Sequence, residues 1–145
     1  MFEKVNFKAL LLAAGLGTRL KPLTNNIPKC LVRVGGEPIL GIWLNNLSKA
    51  GCESVIINTH YLSKQVEDYL KKKDFGNMKI ITSYEPKLLG TAGTLIKNSN
   101  FFLGGNSMFI HADNFTNTNL QAFMDFHVNN TIPKKKLLTM MTFET

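Results

Sequence analysis

Residues 10–40 read LLLAAGLGTRLKPLTNNIPKCLVRVGGEPIL, and the fold turns on how that stretch begins. Ala9 to Ala14, led in by Phe7, form an unbroken apolar run. That is the pattern of a strand buried on both faces, which belongs in a parallel sheet. Gly15 and Gly17 follow the run directly. Glycine lets backbone N–H groups approach an anion closely, so a glycine loop leaving a buried first strand is a phosphate cradle. From Gly15 to Glu37 the chain is irregular and punctuated by Pro22, Pro28, Gly35 and Gly36. Connections longer than about 15 residues with no structure of their own are usually functional or disordered. This one carries Arg19, Lys21, Lys29 and Arg33 with no acidic residue between Gly15 and Gly36, so it reads as functional.

Two familiar cradles are excluded. A Walker A loop requires Gly-Lys-Ser/Thr, which is missing here. A dinucleotide fingerprint requires a third glycine where Leu20 stands, an immediate helix, and an acidic residue closing the second strand. Pro22 opposes that helix, and the second strand closes on Asn58, Thr59 and His60.

Outward from the loop, strands and helices alternate. Pro38 opens a helix at the position proline favours and Gly51 closes it, with Ile39, Ile42, Trp43, Leu47 and Ala50 on one face. Ser54 to Asn58 reads as a second buried strand, and Leu62 to Leu70 as a helix with Ser63 as N-cap. Met78 to Ser83 reads as a third strand, with a short helix within Leu89 to Asn98. Ser107 to Ala112 is a fourth strand ending at Asp113. Thr118 and Gln121 match a capping box that starts a helix carrying Leu120, Phe123, Met124 and His127. Leu137 to Phe143 reads as a last strand. This alternation predicts an α/β fold, a three-layer α/β/α Rossmann-like, mostly parallel sheet. Ligands then bind at the carboxyl ends of the strands, which directs attention to Ala14–Lys29, Asn58–Tyr61, Tyr84–Thr94 and Asp113 with Asn114.

Composition narrows the class. The chain has 145 residues, 44% hydrophobic and 19% charged, which suits one globular domain over 1–145. Two cysteines, Cys30 and Cys52, make no disulfide framework, so a reduced, cytoplasmic setting is expected. No apolar run reaches the length of a membrane span, and the N-terminus lacks signal-peptide organisation. Seventeen Lys+Arg against ten Asp+Glu leave a net charge of +7, fitting a protein that handles anions. Nucleic acid is not the expected partner, because interleaved aromatics and a recognition helix are missing. His60, His111 and His127 read as structural, and the triple lysine 134–136 as a solvated loop.

Leu12-Ala13-Ala14-Gly15-Leu16-Gly17-Thr18-Arg19, Pro22, Leu23-Thr24, Pro28-Lys29, Leu31 and Pro38 together resemble the sugar nucleotidyltransferases, the nucleotide-sugar pyrophosphorylases. The resemblance continues through Asn58-Thr59-His60-Tyr61, Glu85, Leu89-Gly90-Thr91-Ala92-Gly93-Thr94 and Asp113-Asn114, and is greatest to the mannose-1-phosphate guanylyltransferase group. It implies transfer of a nucleotidyl group from a nucleoside triphosphate to a sugar 1-phosphate, releasing pyrophosphate. It also implies catalytic roles for Arg19, on the departing end of the triphosphate, and Lys29, near the reacting centre. Nucleotide binding would fall to Leu12, Ala13, Ala14, Gly15, Gly17, Thr18, Glu85, Gly90 and Thr91, and Mg²⁺ to Asp113. Where the family has glycine before that aspartate, this chain has Ala112.

Glu85 would face the base. An ionised carboxylate only accepts hydrogen bonds, which suits guanine's N1–H and amino group and points to GTP. Family members carry a further stretch with sugar-binding residues and a second metal-binding aspartate, so relative to them the sheet is expected to be C-terminally incomplete. The alternative expectation is a catalytically weak or inactive nucleotide- or sugar-phosphate-binding fragment, or a regulatory module. An unpaired apolar edge on the last strand would favour self-association.

Overall fold

The computed structural model describes residues 5–134 and 137–142. Its centre is a four-stranded parallel sheet, β5-β4-β1-β6, built from β1 (Phe7–Leu12), β4 (Cys52–Thr59), β5 (Lys79–Tyr84) and β6 (Asn106–His111). A two-residue antiparallel ribbon pairs β2 (Arg33–Val34) with β3 (Glu37–Pro38). The helices are α1 (Ile39–Lys49), α2 (Ser63–Lys71), α3 (Gly90–Lys97) and α4 (Leu120–Phe126). In register, Leu10 lies between Ile56 of β4 and Phe109 of β6, so the apolar run is the middle of the sheet.

The two faces of β1 divide by residue parity, as a strand's period of two requires. Phe7, Ala9 and Leu11 join Val55, Ile57, Met108 and Ile110 in the main core, together with Leu40, Leu44 and Leu47 of α1, Val66 of α2, and Leu120 and Met124 of α4. Each leucine buried in this way contributes about 2 kcal/mol. On the other face lie Leu10 and Ile56, both buried. There Lys8 Nζ donates to the Phe101 carbonyl at 2.8 Å, and Asn58 bonds Thr94 of α3. This second cover is thin, and Phe109 stays exposed. Two helical layers thus sandwich the sheet unequally.

Several boundaries differ from the sequence expectation, each for a local reason. Pro38 is the extended N-cap of α1 and not its first helical residue. Leu62, not Ser63, caps α2, in left-handed backbone with φ 52° and with no side-chain cap bond. The capping box at Thr118 and Gln121 does not form. Asn119 is the N-cap and accepts from the Ala122 N–H at 3.1 Å, while Gln121 reaches Asp125 one turn on. Asparagine's short acceptor serves an N-cap as well as a threonine hydroxyl does, and Asn119 lies directly before the apolar turn. His127 falls just beyond α4, in a π turn spanning His127–Thr131.

The last strand does not form over residues 137–142, which take part in no ladder; residue 143 lies outside the described residues. Side chains tether the segment instead. Thr139 Oγ1 lies 2.8 Å from His127 Nδ1 and 2.7 Å from Thr131 Oγ1. The edge expected to drive self-association is therefore not present among the described residues.

Candidate active site

The chain passes from β1 to β4 to β5 on one side of the sheet, then returns to place β6 on the other side of β1. This reversal opens a crevice beyond the carboxyl ends of β1 and β6, where ligands bind in open parallel sheets. A cleft of about 420 Å³ lies there, lined by residues that include Gly15 to Leu20, Lys29, Gly90, Thr91 and Asp113.

The glycine loop is held at both ends. At its start, Leu12 O accepts from the Ala112 N–H at 3.0 Å. Asn58 Oδ1 accepts from the N–H groups of Ala13 at 2.7 Å and Ala14 at 3.2 Å. At its end, Gly17 has φ +66°, and the buried Thr24 hydroxyl donates to its carbonyl at 2.7 Å. The basic segment beyond is tied to the far rim, where Tyr61 Oη donates to Asn25 O and Gln65 Nε2 to Asn26 O. Between these anchors, the N–H groups of Gly15 to Arg19 make no hydrogen bond to the described residues. Five successive backbone donors on the cleft lining are thus left without protein partners, as a backbone anion cradle requires. The Ala13 and Ala14 donors are not part of it, because Asn58 has taken them.

Arg19 stands exposed in a short 3-10 turn, Thr18–Leu20, and makes no ion pair or hydrogen bond with the described residues. Lys29 follows buried Pro28, and its ammonium lies 2.5 Å from Asp113 Oδ2. Asp113 sits in the turn after β6, where Asn114 N–H donates to His111 O and the Trp43 indole N–H donates to Asn114 O at 2.7 Å. Burial pushes the Asp113 carboxyl up, but the hydrogen bond and charge of Lys29 more than offset this and hold it below the usual range. It is therefore ionised at neutral pH. His111, expected to be a packing residue, lines the cleft at the end of β6.

Glu85 is on the cleft lining, but it is not the open acceptor expected from the sequence. Its side chain is 1% exposed, and its carboxylate is engaged by the protein itself. Oε1 accepts from Thr94 Oγ1 at 2.5 Å and Asn58 Nδ2 at 3.1 Å, and Oε2 accepts from the Leu89 N–H at 3.1 Å. Burial raises its pKa, but these donors and Lys97 together bring it below the ordinary value. A carboxylate has about four acceptor positions. Three are used, so Glu85 cannot read guanine's N1–H and amino group together. Gly90 and Thr91, at the exposed start of α3, remain on the cleft wall.

One carboxylate fits a magnesium ion only in company. Among the described residues no three His, Cys, Asp or Glu side chains gather to hold a metal. Mg²⁺ commonly takes one or two carboxylates and completes its shell with phosphate oxygens and water. Asp113, on the lining of the same cleft as the glycine loop, fits that arrangement.

The sequence placed Asn58 and Thr94 only within strand-end stretches, Thr24 only in the family resemblance and Trp43 on an apolar helix face, and assigned none of them these hydrogen bonds. A polar residue closing the apolar run SVIIN was the available signal for Asn58. For Trp43 there was none, since a tryptophan on an apolar helix face reads as core.

The nucleotidyl transferase family model matches residues 8–144. N-acetylmuramate alpha-1-phosphate uridylyltransferase of Caulobacter vibrioides is 36% identical over 104 residues, covering 70% of this chain and 43% of that protein. Mannose-1-phosphate guanylyltransferase catalytic subunit beta of Drosophila melanogaster is 36% identical over 126 residues, covering 84% of this chain and 34% of that one. The crystal structure of HddC from Yersinia pseudotuberculosis complexed with GMP-PN superposes with a TM-score of 0.72 at 26% identity, over 86% of this chain and 55% of the other. The chain thus spans 34% to 43% of the length of these two curated relatives.

Proposed function

The chain belongs to the nucleotidyl transferase family, and on that premise we propose that it binds a nucleoside triphosphate and transfers its nucleotidyl group to a sugar 1-phosphate, as one unit spanning residues 1–145. The observation that carries this is the pairing across one cleft of five unpaired backbone donors, Gly15 to Arg19, with the Lys29–Asp113 pair. An oxygen of the sugar 1-phosphate attacks the α-phosphorus, the bond from that phosphorus to the β-phosphate's bridging oxygen breaks, and pyrophosphate departs. Little covalent chemistry is left to the protein, which positions two anions and neutralises developing charge. Backbone N–H groups of Gly15, Gly17 and Thr18 hold the phosphates. Arg19, free of other partners among the described residues, offers a planar fork to the leaving pyrophosphate. Lys29 serves as a point charge near the α-phosphate. Asp113 with phosphate oxygens would hold Mg²⁺, which supplies further charge neutralisation when bound. Gly90 and Thr91 flank the base.

GTP is the nucleotide proposed. Support comes from the guanylyltransferase relative; the single acceptor position left on Glu85 suits guanine's N1–H but equally a uracil's N3–H. A cytoplasmic setting is part of the proposal; both cysteines are buried free thiols, and burial pushes each up to about 12, which keeps them unreactive.

Pyrophosphate release from each of the four common triphosphates, with Mg²⁺ and a panel of sugar 1-phosphates, tests the proposal. Turnover with GTP supports it, and a clear preference for UTP moves the base assignment. A second reading, binding without turnover, is favoured by the lack of any group of three or more His, Cys, Asp or Glu side chains around Asp113 among the described residues. It is separated from the first by nucleotide binding with no pyrophosphate release.

A further inference from the structure

Asn58 lies near the end of β4, only 4% exposed, and all the polar capacity of its carboxamide is committed to two separate loops. Its oxygen holds the Ala13 and Ala14 N–H groups, 45 and 44 residues away in sequence. Its nitrogen donates to Glu85 Oε1, 27 residues away, and to Thr94 Oγ1, 36 residues away. Glu85 in turn accepts from the Leu89 N–H, immediately before Gly90 and Thr91. One amide therefore links the root of the phosphate-binding turn to the loop on the opposite wall. We propose that Asn58 is a positioning residue, whose carboxamide fixes the glycine loop and the Leu89–Thr91 loop in one relative placement and so sets nucleotide affinity. This rests on the nucleotide-binding reading of the cleft.

The chemistry at position 58 is specific. Oδ1 must accept from two N–H groups, and Nδ2 must donate to an ionised carboxylate. Aspartate keeps the first function but sets an oxygen 3.1 Å from Glu85, where two carboxylates cannot both remain ionised. Alanine strands the Ala13 and Ala14 donors and leaves Glu85 with one partner fewer. Leucine or serine would do no better, since neither supplies both functions at that reach. The reciprocal exchange, Asn58→Asp with Glu85→Gln, reverses three hydrogen bonds together, because the Thr94 hydroxyl must accept from the new amide at position 85 and donate to the new carboxylate at position 58. The introduced carboxylate still accepts from Ala13 and Ala14, and the introduced amide nitrogen donates back to position 58.

The test uses the whole chain and two probes, Mg·GTP and inorganic tripolyphosphate, titrated calorimetrically well below each variant's melting temperature. Asn58→Ala and Asn58→Asp should each bind both probes about tenfold more weakly or worse, because a buried partner is lost. The Asn58→Asp/Glu85→Gln pair should recover most of the loss that Asn58→Asp causes. A purely structural role would lower the melting temperature yet leave affinity unchanged while the variant is folded. Unchanged affinity in folded Asn58→Ala, or no recovery in the exchanged pair, overturns the inference alone. If the unaltered chain binds neither probe, the nucleotide-binding reading falls and this inference with it.

Discussion

Replacing Gly17 by alanine tests the turn on which the site is built. Two costs can be separated. At φ +66° any side chain strains the backbone, by about 1–2 kcal/mol. The new Cβ would also lie 2.8 Å from Thr24 Cγ2, 3.1 Å from Thr24 Cβ and 3.2 Å from Lys29 Cβ. Thr24 cannot retreat easily, being 1% exposed and bonded through its hydroxyl to the Gly17 carbonyl. Overpacking of this kind costs about 1–3 kcal/mol, so the total is about 2–5 kcal/mol. At about 3 °C per kcal/mol for a chain of this size, the melting temperature should fall by roughly 6–15 °C.

Gly35 supplies the control. It has φ +59° with nothing within 4 Å of its would-be Cβ, so Gly35→Ala shows the backbone cost alone. The difference between the two variants is the steric part. Thr24→Ser removes the nearest methyl while keeping the hydroxyl, so it should return about 1 kcal/mol to Gly17→Ala in a double-mutant cycle. Chemical denaturation of the four variants reads the stabilities. Because relief of the clash displaces Lys29, Mg·GTP affinity should fall in Gly17→Ala and hold in Gly35→Ala. Equal stabilities of Gly17→Ala and Gly35→Ala, or additivity with Thr24→Ser, would refute the packing argument.

Arg19→Ala should lower turnover by two or more orders of magnitude, of the size seen when a donor to developing charge is removed, while nucleotide affinity falls less; equal rates in a pyrophosphate assay would exclude Arg19 from the leaving-group end. Asp113 has a depressed pKa in the folded chain, so its stabilisation is present above the unfolded value near 3.8 and is lost as pH falls through the lower, folded one. Asp113→Asn should therefore flatten part of the acid limb of a stability–pH curve and weaken the Mg²⁺ dependence of nucleotide binding, both readable by melting curves. Trp43→Phe removes the indole donor to the Asn114 carbonyl, costing about 1 kcal/mol and loosening the turn that carries Asp113. Trp43 is the chain's one tryptophan, so Mg·nucleotide binding should alter its fluorescence, and an unchanged spectrum on saturation would separate that turn from the ligand.

What the sequence determined by itself was whatever local pattern specifies. The run from Ala9 to Ala14 required a strand buried on both faces, and β1 lies in the middle of the sheet. Gly15 and Gly17 marked the turn, and the alternation of apolar segments gave the parallel α/β arrangement. Arg19, Lys29 and Asp113 were singled out by the family resemblance, since each alone reads as a surface charge or a turn residue, and the fold brings all three to the lining of one cleft. Tertiary structure decided the partners. That Asn58 reaches Ala13, Ala14, Glu85 and Thr94 follows from strand order β5-β4-β1-β6, which brings three strand ends together. The same order turned Glu85 inward: its N–H bonds the Thr59 carbonyl, and its carboxylate meets the start of α3. A carboxylate in isolation reads as a group awaiting a ligand. Only the surrounding donors show that its acceptor positions are mostly filled, because hydrogen-bond saturation depends on neighbours distant in sequence. The segment 137–142 differs for the same reason: its strand propensity is not realised in a ladder, and Thr139 bonds His127 and Thr131 instead.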